Sequence, residues 1–400
     1  MAEGASPGSG LTFLVCGGGN GAHAFAGVAA SRGAKVHVYT PLQDEVDKWN
    51  AGSLSMTCHY AADGSSHTSS PALVTADPKL ASEGVDVAIV VLPASLHDRM
   101  LLDVGPHLPK GSAIGTIEGA WWGRPPLGDG TLEEVTFYGI QTLPWAARIK
   151  EYGKSVDILG TKTGVPVASS PMDKVKDVAD KLQRIVGTGF PTSANLLSLF
   201  ALDASAIIHP GVMYGKLADW DGEPFDEAPL FYQGIDAHTA DVMQAMDAEV
   251  IQLKDKLVEL FPTLDLSDVV PTLMWLQTSY EDQIADKSTF QSSFNTNASY
   301  KGLRFPVTEA PGAPGKLVYL FDYRYLTGDV PYGIVVMKGI AEILGIPTPM
   351  LDRAISWAQE KLGKEWLVGD KLTGKDLGES RAPQRFEIHT LEDFMKGAGA

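Results

Sequence analysis

Cysteine is scarce. The 400 residues contain two, Cys16 and Cys58, which leaves no disulfide framework and no metal-spaced cysteine cluster. That scarcity suits a reducing compartment, and a cytoplasmic location is expected. Cations are also short: 32 Lys and Arg against 49 Asp and Glu give a formal net charge of −17. A surface that acidic repels phosphate backbones and anionic lipid, so the expected partners are small molecules, not nucleic acid or membrane. Long apolar runs are missing as well. The most apolar stretch, residues 85–94, is about half of what a bilayer-spanning helix needs. Residues 1–10 (Met-Ala-Glu-Gly-Ala-Ser-Pro-Gly-Ser-Gly) have neither a basic start nor an apolar run. They are expected to be a flexible tail and not a signal peptide.

What is present describes a folded protein of two domains. Four hundred residues exceed what one hydrophobic core organises. With 44% apolar and 20% charged residues, the composition is globular rather than disordered. Residues 11–16 (Leu-Thr-Phe-Leu-Val-Cys) form a continuous apolar run that stops at Gly17, the pattern of a strand buried on both faces. The Ala-rich residues 22–31 predict a helix ended by Arg32-Gly33, and the alternating residues 34–40 predict a second strand. Together these make one βαβ unit. Residues 85–93, 113–117 and 135–140 predict further strands, so a doubly wound sheet is expected to about residue 190. Helical periodicity then dominates, over residues 194–208, 234–261, 266–284, 332–344 and 350–362. The expected architecture is a tail (1–10), an α/β domain (11–192) and an all-α domain (193–400).

The turn after the first strand, Gly17-Gly-Gly-Asn-Gly-Ala22, fits the pattern G-x-G-x-x-G/A. Gly17 permits the tight turn, Gly19 allows a pyrophosphate to approach the backbone, and Ala22 lets the helix lie close to the sheet. The helix N-terminus offers free N–H groups and partial positive charge to the phosphates. A strand before the turn and a helix after it are the context of a dinucleotide site of the Rossmann type. Gly17, Gly18, Gly19, Asn20, Gly21 and Ala22 are therefore expected to bind the cofactor, with Pro93 at the end of the 85–93 strand. The acid usual at the end of the second strand is absent, since residues 39–42 read Tyr-Thr-Pro-Leu. Asp44 and Glu45 follow, and either face the ribose or serve as first-turn helix acids. No Arg or Lys follows Thr40 closely enough to hold a 2′-phosphate, so NADH is expected in preference to NADP(H).

Of the nine histidines, His209 stands apart. It ends an apolar stretch just before Pro210-Gly211, which is read as interrupting a helix. An imidazole there suits either proton transfer or a hydrogen-bonded core position. His23, beside the glycine turn, is read as shaping that turn. Arg324, between Tyr323 and Tyr325, either holds a carboxylate through two parallel bonds or makes an ordinary surface salt bridge. Asp329 either orients a histidine or caps the following helix. Trp275, at helical spacing, reads as core, and no metal-ligand set is read anywhere in the chain.

Longer strings carry a resemblance. Residues 16–23 (Cys-Gly-Gly-Gly-Asn-Gly-Ala-His), 141–150 (Gln-Thr-Leu-Pro-Trp-Ala-Ala-Arg-Ile-Lys) and 159–162 are similar to the opine dehydrogenases. So are residues 228–236, 300–302, 324–331, 357–361 and 372–376, in the same order over nearly the whole chain. The sequence resembles most the octopine dehydrogenase type of marine invertebrates. The resemblance implies a Rossmann domain binding NADH, a helical opine-dehydrogenase domain, and an active site in a cleft between them that closes to exclude water. It implies reductive condensation of an α-keto acid, normally pyruvate, with the amine of an amino acid. The products would be an N-(1-carboxyethyl) amino acid and NAD⁺, regenerated during anaerobic glycolysis.

In that family His209 matches the catalytic histidine and Asp329 its partner, while Arg324 and Thr142 would hold the keto acid. Trp275 matches an aromatic near the second substrate. Gln141 stands where the octopine type has Glu, and Gly328 where it has another Glu. Arginine wants an anionic partner, so a small neutral amine is expected instead: alanine, glycine, β-alanine or taurine. Glu118, in a loop that could border the site, keeps arginine as the alternative. Two other readings stand beside this one. A 2-hydroxy-acid or ketopantoate-type reductase would oxidise NAD(P)H with a keto acid alone, and an NADH-sensing protein would bind without turnover. The resemblance leans towards a monomer.

Overall fold

The apolar run that stops at Gly17 forms β1 (Thr12–Cys16), in which every residue but Thr12 is buried. The computed structural model describes residues 6–117, 134–202 and 204–398. It divides the chain into two units at residues 199/200, where the sequence suggested 192/193. In the first unit β1 is followed by β2 (Lys35–Tyr39), β3 (Met56–Tyr60), β4 (Ser66–Ser69), β5 (Leu73–Thr75) and β6 (Val87–Val90). Then come β7 (Ala113–Ile117), β8 (Thr136–Ile140), β9 (Trp145–Glu151), β10 (Ser155–Thr161) and β11 (Val167–Ser170).

Seven of these strands make one sheet in the order β11-β8-β7-β6-β1-β2-β5, parallel throughout except for the edge strand β11. Counted along the chain, the six parallel strands lie in the order 3-2-1-4-5-6, the doubly wound arrangement of a Rossmann sheet. The direction of winding reverses between β1 and β6, where Cys16 lies beside Val90. Gly17 and Pro93 both follow the carboxyl ends of these two strands, the place where open α/β sheets bind ligands.

A second, four-stranded sheet in the order β4-β3-β10-β9 has no counterpart in the sequence reading. The reason is visible in β4, Ser-His-Thr-Ser, which buries none of its residues and so carries no apolar alternation. The expected tail also differs from residue 6 onward. Gly8 is buried, its N–H donates to the Arg32 carbonyl at 2.9 Å, and the Arg184 guanidinium donates to the Pro7 and Ser9 carbonyls.

The second unit is mainly helical. Its longest helix, Ala237–Leu260, is capped by Asp236, whose carboxylate accepts from the Thr239 N–H at 2.9 Å. The helix Ile208–Leu217 packs against it so closely that side chains at Gly211 and Gly215 have no room. A Cβ there would lie 2.8 Å from Met243 Cγ and 2.9 Å from Thr239 Cα, respectively.

The helix expected over residues 194–208 is instead a π-type turn, Leu197–Ala201, and a 3₁₀ turn, Ala204–Ile207. Regular helix begins at Ile208, so Pro210 lies in a first turn, where its missing N–H would have had no partner. The proline opens a helix and does not interrupt one. Residues 266–284 likewise hold only the helix Thr272–Ser279 and a short 3₁₀ turn. Besides its helices this unit holds one short antiparallel ribbon, β12 (Val307–Glu309) paired with β13 (Leu317–Tyr319). Among the described residues no helix is long and apolar enough to cross a membrane, and no cluster of His, Cys, Asp or Glu is placed to hold a metal.

Candidate active site

The glycine turn owes its sequence to crowding on one side and open space on the other. Gly17 has φ +132°, and a Cβ there would stand 2.7 Å from the Val91 carbonyl oxygen. A side chain at Gly18 would run into the Glu45 carboxylate and the Tyr152 hydroxyl, and one at Gly21 into Leu143 and Val91. Gly19 differs, for its Cβ would meet no protein atom within 4 Å. It precedes the helix Asn20–Ser31, whose N-terminus has no side-chain cap. An open cradle beside uncapped N–H groups fits a dinucleotide pyrophosphate. Ala22 is fully buried, and Asn20 Oδ1 accepts from the Ile149 N–H at 2.8 Å, which ties the turn to β9. Pro93 is exposed just beyond β6.

No acid ends β2, and the two acids that follow it are placed differently. Asp44 points away and pairs with Lys48 at 3.0 Å on the surface. Glu45, from the first turn of the helix Gln43–Ala51, instead accepts from the Thr40 hydroxyl and lies against Gly18.

His23 is fully buried between Trp49 and Tyr152 and bridges two backbone segments. Its Nε2 accepts from the Gly153 N–H at 2.8 Å, so Nδ1–H donates to the Gly19 carbonyl at 3.0 Å and the ring is neutral. Burial pushes its pKa down from 6.5 to about 4. Because the unfolded chain takes up that proton first, the stabilisation is whole above pH 6.5 and declines as pH falls towards about 4. The expected slope is about 1.4 kcal/mol per pH unit over that window. Urea midpoints for the parent and His23→Gln, measured across it, should converge as pH falls; parallel curves would refute the assignment.

In the second unit His209, the second residue of its helix, meets Asp329 across 120 residues of sequence. Asp329 makes no side-chain cap to the turn that follows it. Its carboxylate accepts from His209 Nδ1 at 2.6 Å, with the two side chains 20% and 25% exposed. His209 Nε2 faces the Tyr232 hydroxyl at 2.7 Å, and the imidazole stacks on Tyr325 at 3.9 Å with the planes 9° apart. Arg324 is exposed and lies 5.3 Å from the Tyr325 ring centroid. Among the described residues it makes no ion pair, and the acid that acts on its charge is Asp329.

Trp275 is half-buried, while its neighbour Leu276 takes the core position. From Trp275 an aromatic chain runs through Tyr280 (6.3 Å) and Tyr300 (5.3 Å) to Tyr232 (4.0 Å). Gln141 and Thr142 belong to the first unit, directly after β8. The Gln141 N–H donates to Pro166, and the Thr142 hydroxyl accepts from Lys162 Nζ at 3.0 Å. Glu118 lies outside the described residues. Tyr232, Tyr325 and Lys162 were not singled out from sequence; Tyr232 sits in a loop without periodicity, and only the string 228–236 around it gave a signal.

Residues 192–362 match the NAD/NADP octopine/nopaline dehydrogenase alpha-helical domain. With the Rossmann sheet before it, the chain is an NAD-dependent oxidoreductase. It is 38% identical to octopine dehydrogenase of Mizuhopecten yessoensis, over 97% of this chain and 99% of that one. It is 36% identical to tauropine dehydrogenase of Arabella iricolor, over 96% and 100%. The chain belongs to the opine dehydrogenase family. Its structure is similar to that of octopine dehydrogenase with NADH and L-arginine, with a TM-score of 0.88 at 36% identity over 97% of this chain and 98% of that one. The form with NADH and pyruvate gives 0.85 at 35% identity over the same shares.

Proposed function

We propose that this enzyme condenses pyruvate with a small neutral amine, alanine, glycine, β-alanine or taurine, and so regenerates NAD⁺ when oxygen is short. The observation that carries the chemistry is the 2.6 Å bond between His209 and Asp329. Asp329 accepts the Nδ1 proton, fixes the tautomer and leaves Nε2 as the nitrogen that exchanges protons. In the reductive direction imidazolium His209 supplies the proton with which the carbinol hydroxyl leaves as water. In the oxidative direction neutral His209 receives the proton of the secondary amine.

Arg324, which has no ion-pair partner among the described residues, neutralises the keto-acid carboxylate, and Tyr325 holds the guanidinium in place. In the first unit the Thr142 hydroxyl accepts from Lys162 Nζ at 3.0 Å, which leaves its own proton to donate. Gly17, Gly18, Gly19, Gly21 and Ala22, with Pro93, would hold NADH, while Asn20 braces the turn. When bound, NADH supplies the hydride that reduces the imine.

The choice of amine rests on Gln141 and Gly328, which stand where the octopine type has Glu. A neutral amide in place of a carboxylate removes the charge-assisted partner of a guanidinium, a loss of about 1.5–3 kcal/mol. Assays of NADH oxidation at fixed pyruvate, with each amine in turn, should give arginine a kcat/KM about tenfold or more below the best small neutral amine. Arginine as the best substrate would overturn the reading.

A further inference from the structure

We propose that the Tyr232 phenol relays protons to and from His209 Nε2, as the third member of the acid–base group; this rests on the assignment of His209 above. Nδ1 is committed to Asp329 at 2.6 Å, so protons exchanged with a substrate pass through Nε2. That nitrogen already has a partner in the Tyr232 hydroxyl, at 2.7 Å. The hydroxyl is no loose cap. Tyr232 is 7% exposed, its ring stacks on Tyr300 at 4.0 Å, and Phe231 meets it edge-on at 4.8 Å. Swinging the ring aside to bare Nε2 would break this stack, so the phenol stays between the imidazole and whatever it serves.

A donor and acceptor held at this distance pass protons without either moving away. In the reductive direction the Nε2–H bond of the imidazolium breaks and its proton goes to the Tyr232 oxygen. As it arrives, the phenolic proton leaves for the carbinol oxygen; the C–O bond breaks to release water, and the nitrogen lone pair forms the C=N bond of the imine. His209 ends neutral, Tyr232 regains the proton it gave, and no phenolate accumulates. Burial, which pushes the phenol pKa well above its ordinary value, suits a hydroxyl that stays protonated between turnovers. In the oxidative direction the N–H bond of the secondary amine breaks, its proton goes to the Tyr232 oxygen, and the phenolic proton moves on to Nε2 of neutral His209.

Tyr232→Phe keeps the ring stack and removes only the hydroxyl. It should lower kcat in both directions by about 100-fold or more, with the KM for NADH within about twofold of the parent. In mixtures of light and heavy water, the parent kcat should follow a bowed proton inventory, because two protons move together; the variant should give a straight line. A variant kcat within about threefold of the parent overturns the relay, as does a straight inventory for the parent, which needs no variant to fold. His209→Gln separates the two readings. If it abolishes turnover and Tyr232→Phe does not, only the relay fails; if it leaves turnover intact, the assignment of His209 fails with it.

Discussion

His209→Gln should lower kcat by about 10²–10⁴-fold in both directions while NADH binding and the thermal midpoint hold. Glutamine keeps a polar side chain between Asp329 and Tyr232 but has no group that can gain and lose a proton near neutral pH. Asp329→Asn should cost nearly as much for a different reason. An amide can donate to Nδ1, which reverses the tautomer and turns Nε2 into a donor, and it withdraws the negative charge that supports the imidazolium. The acidic variant Asp329→Glu, by contrast, should recover part of the loss. Steady-state rates with pyruvate and the best amine, and with the opine and NAD⁺, check all three. A His209→Gln enzyme within about tenfold of the parent would remove the imidazole from the mechanism.

Glu45→Gln should raise the affinity for NADPH relative to NADH by about tenfold to a hundredfold. The Glu45 carboxylate lies against Gly18 at the turn, tethered by the Thr40 hydroxyl. There it would offer acceptors to a free ribose hydroxyl and repel a 2′-phosphate. At about 4 Å that repulsion is worth roughly 1–4 kcal/mol per charge pair, depending on solvent access. The amide retains the shape and removes the charge. Fluorescence titration of the two coenzymes gives the ratio of Kd values without reference to turnover, and an unchanged ratio would assign the preference elsewhere. The parent preference should also weaken as salt is added, because Glu45 is only half-buried.

The parts of the fold that could be read in advance are those in which burial is complete and local. Strands covered on both faces become uninterrupted apolar runs, so residues 113–117 were delimited as the structure has them and β1 to within one residue. The second sheet left no such trace, since its strands mix polar and apolar residues according to what covers each face. The stretch before His209 was apolar enough for a helix but folds as π and 3₁₀ turns. At the site, the glycine pattern was legible because its spacing is local. The need for glycine at position 18 was not, because Glu45 and Tyr152 create it from elsewhere in the chain. Nothing in periodicity pairs His209 with Asp329, 120 residues apart; family likeness did that. Tyr232 reaches the imidazole from a loop, where side-chain direction follows no repeat.

The hairpin β9–β10 reaches the nucleotide turn at two points, through Asn20 to Ile149 and through His23 to Gly153. These struts come from a sheet that the sequence kept hidden, and they set the curvature of the turn before any coenzyme arrives. A loop already held in its receiving shape has little freedom left to surrender on association, so contact energy there passes into affinity and is not consumed in ordering the backbone.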